Sequence, residues 1–178
     1  MAVRFAGRYA KSLLDLAIEK NVLDTVITDV KGIQKTFDSS SDLVAMLKSP
    51  IIKSDKKQNI LNSLFFGKIN TLTEKFLAIT VKKSREAYLP EIFESFVEQY
   101  NEHYKITAAT LTAASEVDEG LISKVKSIIM KATGRDKIEL HTKVDPNLIG
   151  GFVLQFEDKL YDTSVARKLD NLKKTFAD

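Results

Sequence analysis

The sequence contains no cysteine and no tryptophan. It cannot be a disulfide scaffold, a thiol enzyme or a cysteine-ligated zinc protein. Histidine is scarce as well. His103 and His141 stand far apart in the chain, which argues against a histidine-rich metal site. Uninterrupted apolar runs are only a few residues long, against the roughly 20 needed to cross a bilayer. A soluble chain without direct membrane insertion is expected. Arg4, Arg8 and Lys11 hint at an organellar presequence, but Asp15 and Glu19 follow, and such presequences are poor in acids. The start reads as that of a mature cytosolic bacterial protein whose first helix belongs to the fold.

The 178 residues fit one large domain or two small ones. The net charge is +3. Residues 1–105 hold 16 basic and 13 acidic side chains, and residues 106–178 hold 11 of each. The excess lies mainly in Lys53, Lys56 and Lys57 and in Lys82, Lys83 and Arg85. A nucleic-acid protein usually shows a denser basic face interleaved with aromatics, so no nucleic-acid partner is expected.

From residue 3 to about 104 the apolar periodicity is helical. Phe5, Tyr9, Leu13, Leu16 and Ala17 share a face of a first helix. Val22, Val26, Ile27, Val30, Ile33 and Phe37 form the stripe of a second, beginning at Asn21. Ser39 to Asp42 break it and offer a cap for a short third helix through Leu47, which Pro50 ends. Ser54 is expected to cap a fourth helix with Ile60, Leu61, Leu64 and Phe65 buried, stopped at Gly67. Leu72, Phe76, Ile79 and Thr80 mark a fifth. Pro90 opens a sixth, with Ile92, Phe93, Phe96, Val97 and Tyr100 inward.

The texture changes after Lys105. Residues 106–113 read as a strand rich in small and β-branched residues. Asp118 to Lys131 is helical, with Leu121, Val125, Ile128 and Ile129 inward and Gly134 as terminator. Lys137–Val144 and Gly151–Glu157 alternate as strands, the second turning at Asp158 and Lys159 into Leu160 and Tyr161. Thr163 or Ser164 then caps a last helix carrying Val165, Leu169, Leu172 and Phe176. The fold class is mostly α: a six-helix bundle over 1–105, then a small α/β domain over 106–178.

Little in this pattern carries chemistry. Gly150-Gly151 leads into a strand, whereas a phosphate-cradling glycine loop leads into a helix, so a bulge or close backbone approach is the expected role. His141 reads as an edge residue, and His103 as the end of a helix. Glu91, Glu94 and Glu98 lie at helical spacing on a solvated face, and Glu157 and Asp158 lack the cleft an acid–base pair needs. No catalytic, cofactor-binding or metal-binding residue is nominated. The first helix is different. Ala2, Ala6, Gly7, Ala10 and Ser12 alternate with Tyr9, Leu13, Leu14 and Leu16, so small or apolar residues run almost around it. It is either central to the bundle or buried on one side with a partner helix on the other.

Val144-Asp145-Pro146-Asn147-Leu148-Ile149-Gly150-Gly151-Phe152-Val153-Leu154, followed by Asp162-Thr163-Ser164-Val165 and Leu169, resembles the C-terminal signature of F-type ATP synthase δ subunits, relatives of the mitochondrial oligomycin-sensitivity-conferring protein. Arg8-Tyr9-Ala10-Lys11 with Leu13 and Leu14 is similar to the family's N-terminal RYAxAL pattern, departing at Ser12, where alanine is usual. The resemblance implies a non-catalytic stator part without cofactors, peripheral on the cytoplasmic face of the bacterial inner membrane. Its N-domain would bind the N-terminal helix of an α subunit, and its C-terminal region the C-terminal ends of the b subunits. It places the receptor groove between helices one and five: Tyr9, Ser12, Leu13 and Leu16 on one wall, and Lys75, Ile79 and Lys82 on the other. Phe5 and Phe76 are left open between the walls and the core, since sequence does not fix which face of each helix is open. Asp145, Pro146, Gly150, Gly151, Asp162 and Ser164 are the structural motif. The competing reading is a helix-peptide or nucleic-acid adaptor using the Lys53–Lys57 and Lys82–Arg85 clusters. An enzyme stands third, with no residue to name.

Overall fold

The structure is a computed structural model that describes residues 2–115, 117–165, 167 and 169. It divides into two compact units, residues 1–100 and 101–178. The described chain is mostly helical, with one small four-stranded sheet towards its C-terminal end.

Helix α1 (Ala2–Glu19) buries Leu13 and Leu14 together with Ala6, Ala10 and Ala17, whose small side chains let neighbouring helices approach closely. Asn21, at φ 54°, makes the turn into α2 (Leu23–Ser39), so the second helix starts two residues later than expected. Its buried residues Val26, Ile27, Val30, Ile33 and Phe37 follow the predicted stripe. Ser40 caps α3 (Ser41–Lys48) by accepting the Leu43 N–H at 3.3 Å. Helix α4 (Ser54–Phe65) departs from expectation. Lys53, not Ser54, occupies the cap position, and its side chain makes no capping bond. The buried residues are Lys57, Leu61 and Phe65 at four-residue spacing, while Ile60 and Leu64 are exposed. Helix α5 (Thr71–Lys82) and α6 (Leu89–His103) follow, the latter burying Ile92, Phe93 and Phe96. Pro90 sits in the first turn of α6, where its missing N–H costs nothing.

A lysine replaces the expected apolar residue in α4 because it has a partner. The Lys57 ammonium lies 2.7 Å from Glu86 Oε1 and donates to the Leu47 carbonyl at 2.8 Å. Both side chains are more than nine-tenths buried. The pair joins α4, the end of α3 and the 3₁₀ turn Glu86–Tyr88 that leads into α6. Its second oxygen, Glu86 Oε2, is buried without a partner. Such a pair gives little net stability, because desolvation offsets attraction, but it strongly disfavours any packing that separates the charges.

In the second unit, β1 (Ile106–Ala113) is central. It pairs in parallel with β2 (Lys137–Val144) after the crossover helix α7 (Glu119–Thr133), and antiparallel with β3 (Phe152–Phe156). Strand β4 (Lys159–Asp162) completes the order β2-β1-β3-β4. Asp118 caps α7, and Gly134, at φ 68°, ends it. Ala109, Leu111, Val125, Ile129, Leu154 and Phe156 form the core between α7 and the sheet. Ile128, expected inward, is exposed; the inward residues of α7 are Val125 and Ile129. Of the last predicted helix, Leu172 and Phe176 lie outside the described residues.

The signature residues close this sheet. Asp145 accepts from the N–H of Asn147 at 3.0 Å, and Pro146 starts the 3₁₀ turn Pro146–Leu148. Gly151 has φ +75°, and a Cβ built there would lie 2.5 Å from the Thr163 carbonyl oxygen. The segment from Asp162 to Val165 thus runs directly over the glycine pair. Thr163 N–H donates to the Phe152 carbonyl, and Val165 N–H to that of Gly150. Asp162 accepts the Ser164 N–H at 2.9 Å, and the buried Ser164 accepts from the Arg167 N–H. Hydrogen bonds from the Ser164 hydroxyl and N–H, with help from Arg167, hold the Asp162 carboxyl below its ordinary pKa. The fold-favouring contribution of this contact is present above the ordinary carboxylate range and is lost as pH falls through the lowered value.

Two outcomes are expected. Glu86→Leu strands the Lys57 ammonium in the interior and should lower unfolding free energy by about 3–5 kcal/mol, whereas adding Lys57→Met should restore most of it. Urea melts of the single and double variants check this; equal losses in both would show that the pair is not what matters. Gly151→Ala combines a left-handed backbone with a clash against main chain, and should cost about 1–3 kcal/mol or more. Thermal melting against an alanine substitution at exposed Gly120 as control tests it.

Candidate functional site

A groove of about 750 Å³ runs between α1 and α5. The α1 wall is Phe5, Tyr9, Ser12 and Leu16, at steps of four, three and four, with Arg8 and Lys20 beside them. Leu13 forms the floor and is 1% exposed. Across the groove stand Leu72, Lys75, Phe76 and Ile79, with Asn70, Thr71 and Val22 at one end.

Each wall is fixed from behind. Gln99 Nε2 of α6 donates to the Gly7 carbonyl of α1 at 3.1 Å. Asp29 Oδ2 of α2 accepts from the Asn70 N–H at 2.7 Å and from Thr73 Oγ1 at 3.0 Å, while Asn70 caps α5 through the Leu72 N–H. The Thr80 hydroxyl donates to the Phe76 carbonyl. Thr73 and Thr80 share one face of α5 and are wholly buried with their hydroxyls bonded, whereas Ile79, about 100° further round the helix, is left 54% exposed. Helix α5 turns Thr73 and Thr80 inward beside Leu72, Leu77 and Val81, and Ile79 outward. Leu16 opposite is 37% exposed, so the groove offers apolar surface on both walls. Ser12 donates its hydroxyl to the Arg8 carbonyl at 2.9 Å, which leaves a small satisfied side chain where the family usually has alanine.

Six of the seven nominated residues thus line one groove: Tyr9, Ser12, Leu13, Leu16, Lys75 and Ile79. Lys82 does not line it and stands exposed at the end of α5. Phe5 and Phe76, left open between walls and core, are half-buried and belong to the walls. Phe5 anchors one end, with ring centroids 4.7 Å from Tyr9 and 5.5 Å from Tyr88. Arg8 stands in the N-terminal signature but is not assigned to the groove, and Lys20 carries no signal, since a charge beside an apolar stripe is ordinary on a solvated helix.

The other singled-out residues do not converge. Lys57 is buried, which removes it from the basic Lys53–Lys57 face that a nucleic-acid adaptor would use. His141 is exposed on the edge strand β2, 3.7 Å from Glu139, and His103 ends α6 beside Tyr104. Glu91 lies 3.3 Å from Lys48, Glu94 and Glu98 are exposed, and Glu157 faces Arg135. Among the described residues, no group of three or more His, Asp or Glu side chains is placed to hold a metal, and no helix is long and apolar enough to cross a membrane.

Comparison with known proteins identifies the family. The family model described as ATP synthase delta (OSCP) subunit matches residues 5–176. ATP synthase subunit delta of Cytophaga hutchinsonii is 41% identical over 98% of this chain and 95% of its own length. That of Amoebophilus asiaticus is 37% identical over the same shares. A chain in the cryo-EM structure of the Toxoplasma gondii mitochondrial ATP synthase hexamer has the same fold, with a TM-score of 0.74 at 22% identity over 97% of each chain. The match spans both units and both sequence signatures, and the chain belongs to the ATP synthase delta (OSCP) subunit family.

Proposed function

We propose that the groove between α1 and α5 receives the N-terminal helix of an ATP synthase α subunit. Membership of the family makes the chain a non-catalytic stator subunit, part of the link that holds the catalytic head against rotor torque. In this reading the six helices of residues 1–105 act as one bundle that grips the head. Residues 106–178 meet the C-terminal ends of the b subunits, and the complex places the chain peripherally on the cytoplasmic face of the bacterial membrane. The observation that carries the groove reading is Ile79, a large apolar side chain turned outward while two threonines of the same helix are turned in. A helix laid into the groove would bury Ile79, Leu16 and Tyr9 together, the i, i+3, i+4 mode of helix recognition.

The second unit supports its own assignment differently. Val144, Ile149 and Leu160 are more than half exposed. Ile149 also holds φ at 63°, a strained value for a β-branched residue that places its side chain outside the core. Exposed apolar side chains of this kind suit contact with another subunit.

Ile79→Asp places a charge where the partner's apolar face would close over it, and should weaken binding of an α-subunit N-terminal peptide by about 2–4 kcal/mol. Tyr9→Ala should weaken it less. Because Ile79 is outside the core, the melting temperature should barely change. Peptide titration and melting on the same variants decide the matter: parallel loss of affinity and stability, or no binding by the unaltered chain, defeats the groove.

A further inference from the structure

Every charged side chain lining the groove is basic: Arg8, Lys20 and Lys75. At the Phe5 end a second guanidinium joins them. Arg8 and Arg85 lie 5.9 and 4.8 Å from the centroid of the same Phe5 ring. Among the described residues none of these four cations has a carboxylate partner, although other surface cations such as Lys48, Arg135 and Arg167 do. Lys82 and Lys83 stand exposed at the same end, next to Arg85 in sequence. The ring supplies a cation–π contact to both guanidiniums, which orders two like charges side by side without neutralising them. A second cationic post, Lys20, stands twelve residues further along α1, about 18 Å at 1.5 Å per residue.

We infer that the groove reads charge as well as apolar shape, and that its occupant is an acidic amphipathic helix with one carboxylate towards each end of the apolar stripe. This rests on the groove being a helix receptor. A helix returns to the same face after about eleven residues, roughly 16 Å, close to the separation of the two cationic ends. Arginine and lysine side chains are long enough to close the difference. One end of the occupant then meets Arg8 and Arg85, the other Lys20, and Lys75 flanks the middle of the opposite wall. The apolar walls alone would accept a helix in several registers or either direction. Unequal cationic ends, two guanidiniums against one ammonium, favour one placement, because charge complementarity acts on specificity and encounter more than on total affinity.

The test uses the full chain and three synthetic helical peptides of about twenty residues with one apolar stripe in common. Two flanking positions, about eleven residues apart, carry Glu, Gln or Lys. Each exposed pair contributes modestly, so at about 0.01 M salt the Glu peptide should bind about tenfold tighter than the Gln peptide, and the Lys peptide weakest. The gap should shrink towards 0.15 M salt, as the Debye length falls from about 30 to about 8 Å. Arg85→Glu, at an exposed position, should keep its melting temperature, weaken the Glu peptide and strengthen the Lys peptide. Equal binding of the Glu and Gln peptides would overturn the charge inference and leave the groove standing. Equal weakening of all three peptides by Arg85→Glu would also overturn it. Binding by none would remove the groove reading, and this inference with it.

Discussion

Two apolar helix faces do not stay apart in water unless each is held from behind. That constraint organises the first unit. Helix α1 is drawn back by its small-residue face and by the bond from Gln99 to the Gly7 carbonyl. Helix α5 is drawn back by Asp29, whose carboxylate takes both the Asn70 N–H and the Thr73 hydroxyl. If α5 rolled to bury Ile79, Thr73 would leave the Asp29 carboxylate that satisfies it now. Losing a buried hydrogen bond costs about 1–3 kcal/mol, comparable to what burying one isoleucine would return. The bonds from Asn70 and Thr73 to Asp29 therefore help keep Ile79 outside.

The helices, strands and turns were largely legible from periodicity and punctuation. Ser40, Gly67, Asp118 and Gly134 act where turn and cap chemistry puts them, whereas Asn21, read as a helix start, is the turn before α2. Misreadings arose where burial and polarity part company. Ile60 and Leu64 look like core residues and are exposed, whereas Lys57 looks like surface and is buried. No local rule identifies Lys57 as an interior residue, because its partner Glu86 lies 29 positions away. The groove shows the same limit. A resemblance nominated six of its residues, but Phe5 and Phe76 stay open between wall and core when each helix is read alone. Only the positions of both helices make them walls.

The C-terminal signature is explained by sterics. Gly151 is required because the Thr163 carbonyl occupies the space of a Cβ, while at Gly150 a Cβ would press on Val165 Cγ2 at 3.1 Å, a contact that a small shift of that side chain relieves. Asp162 and Ser164 hold that crossing segment in place through paired hydrogen bonds. The glycine pair and the Asp-Thr-Ser run are therefore one device read at two places in the chain. Each is meaningful only because the other is present, which is why the pair leads into a strand and resembles no phosphate loop.

A subunit that carries torque and performs no chemistry needs slow dissociation and a fixed geometry. Slow dissociation comes from desolvated apolar contacts, which Ile79, Leu16 and Tyr9 would supply on the proposed groove reading. A fixed geometry comes from walls already ordered before the partner arrives, so that little conformational entropy is lost on its side of the interface. The Lys57–Glu86 pair serves the second requirement. It joins α3, α4 and the turn before α6 at a point where any shear would separate buried opposite charges. Small displacements are resisted steeply there, because the attraction acts in a medium far less polar than water. Stiffness is thus placed inside the unit and apolar surface on its outside. This division lets a mostly helical domain transmit force without having a reactive group.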